Sequence, residues 1–246
     1  MTGAEVLVVA ADIGMLTGRE EEPLLRLMPK AQAESIRKNR RVEDRCRRIL
    51  ARLVLAFGLS VLDGWDMSAG LAALRSEPGG RPWLDGSPRP ISLSHAGRWA
   101  VCAIGHGLAG GGIGVDVEQV RELVVEDFRV VFTPAEQKAV RNSEDPHSEL
   151  IRRWTNKEAV LKAQGTGLLG DPLLIDTELA EGEETDRHWE HLPLEHGYWL
   201  TVAGQSPCAP ARLLLPSRTE IFDDAGDQPG RTDRSISSTA PGRSSR

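Results

Sequence analysis

The sequence predicts a globular fold that combines β-strands with α-helices in one chain of 246 residues. Short apolar runs of strand length alternate with two longer segments in which apolar residues recur every three or four positions. The composition supports a buried core, because 40% hydrophobic and 27% charged residues are typical of globular domains. A length of this order suits one large domain or two of roughly 100–150 residues each.

The predicted strands begin near the N-terminus and return after residue 90. They are expected at 5–11, 91–95, 99–104 and 113–118, with further candidates at 198–202 and 212–215. A glycine-dense hinge is predicted at 105–112, between two of them. The polar, Ser- and Gly-rich composition from residue 217 onward predicts a disordered tail, since little in it can offset the entropy of ordering.

Two long helices are predicted. The first covers 31–57 and ends at Gly58 as C-cap, and the second covers 148–164 and ends at Gly165. Another helix is expected to begin just after residue 133, where the sequence has the pattern of a capping box with proline at the first helical position: Thr133, Pro134 and Glu136.

The chain is acidic overall, with a net charge of −6, but its charge is unevenly distributed. Residues 30–52 contain nine Lys and Arg and three acids, a local balance of +6. This segment either attracts an anionic ligand or is a solvated helix face, and the local pattern does not decide between them. Nucleic-acid binding is disfavoured, because only 4% of the residues are aromatic and no stacking motif is visible.

The sequence predicts neither secretion nor membrane insertion. No apolar run approaches the ~20 residues that a membrane-spanning helix needs. No Lys or Arg precedes the apolar run at 6–11, as a signal peptide would require. The three cysteines, Cys46, Cys102 and Cys208, form no CxxC pair, so a disulfide framework or a structural zinc site is not expected. A reducing cytoplasm is the expected location.

Two strings match the pattern GxGxxG, at 105–110 and 165–170. A dinucleotide-binding site needs a strand before the glycines and a helix after them. The first string is followed by more glycine and then a strand, and the second follows a helix. Neither string therefore predicts a dinucleotide site.

The strand at 113–118 carries two acids at alternate positions. The period of two places Val115 and Val117 on one face and Asp116 and Glu118 on the other. Two neighbouring carboxylates repel each other unless a cation lies between them, and Mg²⁺ prefers such oxygen ligands. The alternative is an exposed strand face with two solvated acids.

The helix at 148–164 places Leu150, Trp154, Glu158 and Lys162 on one stripe of i+4 spacing. Two apolar side chains are thus followed, on the same helix face, by a carboxylate and an ammonium group. An ordinary surface ion pair is the alternative, although a tryptophan one turn below argues against full exposure. If this face packs near Asp116 and Glu118, three acids and a lysine converge.

Three residues near the predicted strand at 91–95 are candidates for anion binding. His95 follows Ser94 at the end of this strand, where both can donate hydrogen bonds to a phosphate. Arg81 lies in the preceding turn. The alternatives are a structural histidine and a solvated loop cation.

Taken together, these segments resemble the 4′-phosphopantetheinyl transferases, in particular the larger, monomeric Sfp-like class. The resemblance rests on motifs in the expected order: Gly80-Arg81-Pro82, Ser92-Leu93-Ser94-His95, Gly114-Val115-Asp116-Val117-Glu118, Phe132-Thr133-Pro134-Ala135-Glu136, Trp154-Thr155-Asn156-Lys157-Glu158-Ala159 with Lys162, and Gly165-Thr166-Gly167-Leu168.

The resemblance implies an α+β fold of two similar α/β halves related by pseudo-twofold symmetry, with the active site in the cleft between them. The halves would be 1–106 and 107–216, with the metal site in the second and a disordered tail at 217–246. It also implies a reaction in which the phosphopantetheine arm of coenzyme A is transferred to a serine of an apo acyl or peptidyl carrier protein, releasing 3′,5′-ADP.

The resemblance assigns roles to the candidate residues. Asp116, Glu118 and Glu158 would hold Mg²⁺ against the pyrophosphate, and Lys162 would stabilise the phosphate and the departing oxygen. Glu158 is the candidate for accepting the proton of the attacking serine. The coenzyme A site would include Arg81, Ser94, His95 and Lys162, with Arg37 and Arg41 taken from a basic group that also contains Lys30 and Arg40.

Other readings remain open. A non-catalytic relative that binds coenzyme A or a carrier is the main alternative, and nucleic-acid binding rests only on the charge of residues 30–52. Neither the carrier protein nor the choice between Mg²⁺ and Mn²⁺ follows from the sequence.

Overall fold

The computed structural model of the chain describes residues 4–16, 18–77, 80–108, 112–167, 170–177, 187–205 and 210–223. Within them the strands are β1 (Glu5–Asp12), β2 (Leu74–Ser76), β3 (Pro82–Leu84), β4 (Ile91–Ala96), β5 (Trp99–His106), β6 (Ile113–Gln119), β7 (Arg187–His191), β8 (Tyr198–Gln205) and β9 (Ala211–Leu214). The α-helices are α1 (Glu21–Arg26), α2 (Lys30–Arg37), α3 (Val42–Asp63), α4 (Met67–Ala73), α5 (Pro134–Asn142), α6 (Pro146–Gln164) and α7 (Arg218–Asp223). The α+β class is confirmed.

The first sheet has the strand order β4-β5-β1-β9, with β1 antiparallel to β5 and parallel to β9. Strand β1 is buried on both faces, which explains its nearly continuous apolar run. Leu7 and Val9 contact the core that contains α3, whereas Val6 and Val8 contact the second sheet. Strand β1 is therefore an inner strand of the first sheet, and both of its faces are covered by core residues.

The second sheet has the order β6-β8-β7 and is antiparallel throughout. Val115 and Val117 pack into the core shared with the first sheet, so the predicted alternation along β6 is confirmed. Helix α6 lies against β6 and β8 on the other face. This arrangement directs Asp116 and Glu118 toward the helix that carries Glu158 and Lys162.

The predicted helix over 31–57 is wrong in its extent. The structure has two helices, α2 and α3, and the Asn39 amide donates to the carbonyl oxygens of Ser35 and Ile36 where α2 ends. Helix α3 continues to Gly64, which has a φ of 68°. Gly58 lies inside α3, where an added Cβ would come within 2.5 Å of the Ile104 side chain. Its role is close packing against the sheet.

The other two predicted helices are present, although the second long helix begins at Pro146 and not at 148. Thr133 and Glu136 form the complete capping box at the start of α5. Helix α6 begins at Pro146, with the Asp145 side chain as N-cap, and its C-cap is Gly165, with a φ of 72°.

The last described strand returns to the first sheet. Strand β9 pairs with β1 in the first sheet, so the segment 107–216 does not remain with the second sheet alone. The predicted tail also begins too early, because Arg218–Asp223 forms α7 and buries Ile221 against the core around α3. The rest of that tail, 224–246, and residues 109–111 of the predicted hinge lie outside the described residues. No described helix is both long and apolar enough to span a bilayer.

Candidate active site

The backbones of β6 and α6 approach each other closely at glycine positions. A Cβ at Gly114 would overlap the carbonyl oxygen of Ala159 and lie 2.6 Å from the amide nitrogen of Ala163. Gly112 likewise faces the Ala163 carbonyl. Because no side chain separates strand from helix here, the acids of β6 come within reach of the side chains of α6.

Asp116 is the centre of this contact and is 4% exposed. Its Oδ1 accepts hydrogen bonds from Lys162 Nζ at 2.7 Å and from Ser94 Oγ at 2.8 Å. Lys162 also donates to the Val115 carbonyl at 3.1 Å. The second carboxylate oxygen, Oδ2, is buried and has no partner in the described part of the chain. One buried acceptor at this site thus lacks a donor or a cation.

The two glutamates near Asp116 are both held toward their neutral forms. Burial, followed by the charge of Asp116, raises the pKa of Glu118 to about 7, although Trp154 Nε1 donates to its Oε1 at 3.3 Å. The same two causes, in the same order, raise the pKa of Glu158. The three predicted acids therefore interact electrostatically across β6 and α6.

These acids do not form a closed metal cage. Across the described ranges, no group of three or more His, Cys, Asp and Glu side chains is positioned to hold a metal ion by itself. The site instead has one buried carboxylate neutralised on one oxygen by Lys162, with two glutamates nearby.

Strand β4 meets β6 edge to edge through serine side chains. Ser92 Oγ accepts the Val115 amide at 3.0 Å, and Ser94 Oγ accepts the Val117 amide at 3.4 Å while donating to Asp116. Ser94 is thereby fixed at the junction of the two sheets.

His95 precedes the turn between β4 and β5, and this turn is held from two sides. Arg47 Nε of α3 donates to the Gly97 carbonyl at 2.5 Å. From the second sheet, the Tyr198 hydroxyl accepts the Arg98 amide at 3.1 Å. The histidine is thus positioned by contacts from both parts of the molecule.

Two cavities flank His95. One, of about 380 Å³, is lined by Ser94, His95 and Lys162 together with Arg48 and Arg52 of α3. The other, of about 340 Å³, is lined by His95, Glu118, Arg47 and Arg121, among others. A larger cavity of about 440 Å³ lies at the β7–β8 turn and contains none of the predicted site residues. The chemistry is therefore better located at the two smaller cavities.

Burial and three nearby cations act on His95. Desolvation lowers its pKa, and the nearby charges of Arg48, Lys162 and Arg47 lower it further. Additional cationic charge disfavours protonation of the ring, whereas a bound anion would reverse that effect. This is the environment expected of an anion site in its ligand-free state.

The predicted basic residues divide into two groups. A Cβ added at Gly165, at the end of α6, would overlap the Arg81 guanidinium, so this group lies beside that glycine. The sequence neighbours of Arg81, Gly80 and Pro82, line the 380 Å³ cavity. Arg37 and Arg41 are exposed and line neither cavity beside His95, and Arg37 pairs with Glu22 at 2.7 Å.

Sequence reasoning missed Arg47, Arg48 and Arg52 as site residues, although all three belong to the basic segment that it identified. Arg48 and Arg52 line the 380 Å³ cavity, and Arg47 lines the other. Their helical spacing was a usable signal, because positions 48 and 52 share one face of α3. Which face meets β4 depended on the break between α2 and α3, which the apolar periodicity did not indicate.

Comparison with known proteins identifies the same region. The family model of the 4′-phosphopantetheinyl transferase superfamily matches residues 112–203, which contain β6, α6 and most of β8. An L-aminoadipate-semialdehyde dehydrogenase-phosphopantetheinyl transferase of Schizosaccharomyces pombe is 44% identical over 68 residues, and this match spans only 26% of either chain.

Longer matches come from Bacillus subtilis. A 4′-phosphopantetheinyl transferase is 24% identical over 182 residues, covering 69% of this chain and 79% of the relative. The 4′-phosphopantetheinyl transferase Sfp of strain 168 is 23% identical over 222 residues, covering 84% of this chain and 95% of the relative. The similarity therefore extends well beyond the motifs around Asp116.

Proposed function

The chain belongs to the 4′-phosphopantetheinyl transferase superfamily, and from that premise we propose that it transfers the phosphopantetheine group of coenzyme A to a serine of an apo acyl or peptidyl carrier protein. The co-product is 3′,5′-ADP, and the reaction depends on Mg²⁺. The observation that carries the proposal is the buried Asp116 carboxylate. One of its oxygens accepts from Lys162 and Ser94, the other has no partner among the described residues, and a cavity lined by cations lies beside it.

The residues around Asp116 fit a hard divalent ion. Mg²⁺ usually takes one or two carboxylates and completes its shell with water and substrate phosphate, so a closed three-acid cage is not required. Asp116 Oδ2 has no partner within the described ranges, and burial together with the charge of Asp116 raises the pKa of Glu118 and Glu158. Asp116, Glu118 and Glu158 would therefore hold the ion. When bound, it supplies positive charge to the pyrophosphate oxygens.

The protein's own cations neutralise the remaining charge. Phosphoryl transfer depends chiefly on positioning and on stabilising the charge that develops on phosphate oxygens. Lys162 is held by Asp116 and the Val115 carbonyl, and its ammonium would stabilise the departing oxygen of 3′,5′-ADP. Ser94 and His95, on β4 of the first sheet, bind phosphate oxygens. Arg81, which directly precedes β3, does the same.

Glu158 accepts the proton of the attacking serine. Its raised pKa favours proton uptake, as a general base near neutral pH requires. The serine oxygen then forms a bond to the β-phosphorus of coenzyme A as the bond to the bridging oxygen of 3′,5′-ADP breaks.

We further propose that the chain consists of two repeated α/β units with the active site in the cleft between them. The first unit consists of strand β1, helix α3 and the hairpin β4–β5, and its sheet order is β1-β5-β4. The second unit consists of strand β6, helix α6 and the hairpin β7–β8, and its sheet order is β6-β8-β7. The shared order supports a pseudo-twofold relation, and the β4–β6 junction at Ser94 would mark the cleft. The enzyme acts as a monomer in the cytoplasm.

The test is transfer to carriers, measured by intact mass. The protein is incubated with coenzyme A, Mg²⁺ and a panel of apo carriers, and we expect a phosphopantetheine adduct on at least one. Asp116→Asn should reduce the rate by about 10²–10³-fold, whereas Asp127→Asn, on an exposed segment, should not change it.

Two results would contradict the proposal. Absence of an adduct on every carrier would reject the transferase activity, and coenzyme A binding in that case would favour the non-catalytic alternative. Full activity of Asp116→Asn would reject the proposed site.

A further inference from the structure

The two sheets are joined through side-chain hydroxyl groups where β4 meets β6. These strands belong to different sheets. Ser92 Oγ on β4 accepts the amide of Val115 at 3.0 Å. Ser94 Oγ, two residues further along β4, accepts the amide of Val117 at 3.4 Å. A junction of this kind depends on a few side chains, in contrast to the regular backbone ladder inside a sheet.

Tyr198 adds a third hydroxyl contact, made from the other side of the junction. It is the only tyrosine of the chain, begins β8 and pairs with Gln119 at the end of β6. Its hydroxyl oxygen accepts the amide of Arg98, in the turn between β4 and β5, at 3.1 Å. A Cβ added to Gly97, whose φ is 52°, would overlap this hydroxyl. The second sheet therefore lies directly against the turn.

The loop before β8 reaches the same turn at a second point. Trp99 Nε1 donates to Glu195 Oε1 at 2.9 Å, and the Arg98 guanidinium lies 3.7 Å from the same carboxylate. Both members of this ion pair are exposed, and exposed pairs contribute little to stability. Tyr198 is half-buried and packs against the core between the sheets. Its hydroxyl is therefore the better-defined restraint on the turn.

The turn is also held by its own half of the molecule. The Ile13 amide donates to the Arg98 carbonyl at 2.7 Å, and Arg47 of α3 donates to the Gly97 carbonyl. Because these contacts tie the turn to β1 and α3, a bond that reaches it from β8 positions the end of β4 as well.

His95 lies at that end of β4 and lines both cavities beside the candidate site. Glu118 lines one of them with it and pairs across the second sheet with Trp199, the residue after Tyr198. Tyr198 thus links the strands beside Glu118 to the turn that follows His95. Tyr198 itself lines neither cavity, so its effect on a bound ligand is transmitted through the turn.

We propose that Tyr198 is a positioning residue, whose hydroxyl holds the β4–β5 turn against the second sheet and thereby places His95 to bind a phosphate oxygen of coenzyme A. This inference rests on the proposed function. Hydrogen bonds weaken steeply as their distance and angle depart from the optimum, so a small displacement of His95 is enough to weaken its contact.

The first test is Tyr198→Phe, which keeps the ring and removes only the hydroxyl. Its kcat/KM for coenzyme A should fall by about 3–10-fold, the value of one neutral hydrogen bond. The loss should appear in KM for coenzyme A, while kcat at saturation changes little. An unchanged KM in the folded variant would overturn the inference.

The matched control removes another hydroxyl that accepts a backbone amide. Ser217 Oγ accepts the Glu220 amide at 3.3 Å at the start of α7, and Ser217 lines neither cavity beside His95. Ser217→Ala should lower the thermal unfolding temperature without changing KM for coenzyme A. An equal rise of KM in this variant would show that general loss of stability, and not the position of His95, is responsible.

A double-variant cycle tests whether Tyr198 acts through His95. His95→Ala should itself raise KM for coenzyme A. In that background Tyr198→Phe should change KM by less than about twofold, because the side chain that it positions is absent. Independent effects, which multiply in the double variant, would overturn the inference, since a merely structural role predicts them.

Failure of this inference and failure of the proposed function are distinguishable. If the wild type modifies carriers but Tyr198→Phe retains its KM, the transferase assignment stands and Tyr198 has no positioning role. If no carrier is modified, calorimetry with coenzyme A replaces KM in the same cycle. Equal affinity of the wild type and Tyr198→Phe would overturn the inference there, and absence of binding by the wild type would reject both proposals.

Discussion

Glu118→Gln should increase the stability of the protein in a pH-dependent way. Burial and the charge of Asp116 raise the pKa of Glu118 from 4.5 to about 7 in the folded state. In the unfolded chain the group ionises near its ordinary value. The folded state therefore binds the proton more tightly than the unfolded chain does, and ionisation of Glu118 lowers the free energy of unfolding.

The pH window follows from these two values. The unfavourable contribution is small below pH 4.5, grows as the pH rises and is complete above pH 7. A difference of this size corresponds to about 1 kcal/mol at pH 5 and about 3 kcal/mol at pH 8. Glutamine has no charge to desolvate, so the substitution removes this cost.

The measurement is urea unfolding of wild type and Glu118→Gln at pH 5 and pH 8 in the presence of a chelator. We expect the free energy of unfolding of the variant to exceed that of the wild type by about 2 kcal/mol more at pH 8 than at pH 5. Glu122→Gln is the matched control, since this glutamate is exposed four residues further along the chain and should show no such difference.

Mg²⁺ provides a second test of the same reasoning. If Glu118 helps to hold the ion, added Mg²⁺ should stabilise the wild type at pH 8 more than the variant, and the variant should lose transferase activity. An equal stability difference at both pH values would refute the assigned cause, because it would show that ionisation of Glu118 is not responsible.

Two further predictions concern the support of the site. Gly114→Ala should destabilise the fold by about 1–3 kcal/mol or more and abolish transfer, because the new Cβ overlaps the Ala159 carbonyl and moves β6 from α6. The control is Gly18→Ala, which has open space around it and should change neither the free energy of unfolding nor the activity. Lys157→Met should cost about 3–5 kcal/mol in urea unfolding, because it leaves the buried Glu136 carboxylate without its ammonium partner at 2.9 Å. Adding Glu136→Gln should recover part of that loss, and a double variant as unstable as the single one would contradict this account.

Local patterns predicted those parts of the fold that depend on neighbouring residues. The alternation along β6, the capping box at Thr133 and the C-cap at Gly165 agree with the structure, because each depends on backbone geometry over a few residues. The same dependence on neighbouring residues explains why the expected role of Gly58 is wrong. Local rules treat it as a helix end, whereas its missing side chain is needed for packing against Ile104, far away in the sequence.

The candidate site was predictable in its residue types but not in its full membership. Asp116, Glu118, Glu158 and Lys162 share recognisable strand and helix spacings, and the structure places them at the contact between β6 and α6. The sequence pattern does not separate the arginines that line the two cavities beside His95 from their neighbours. Nine cations between residues 30 and 52 look alike in sequence, and only packing separates those paired with acids from those that face the cavity.

The sequence by itself determined most of the longer strands, the helices α5 and α6, the acidic face of one strand and the Glu–Lys stripe of one helix, since these follow from capping signals and from the periods of β- and α-structure. Tertiary structure alone decided that β9 returns to pair with β1 and that Asp116 is buried with one oxygen that has no partner among the described residues. It also decided that Arg48 and Arg52 line the same cavity as His95. The physical reason is that burial and charge compensation depend on residues far apart in the chain, whose meeting no local periodicity encodes.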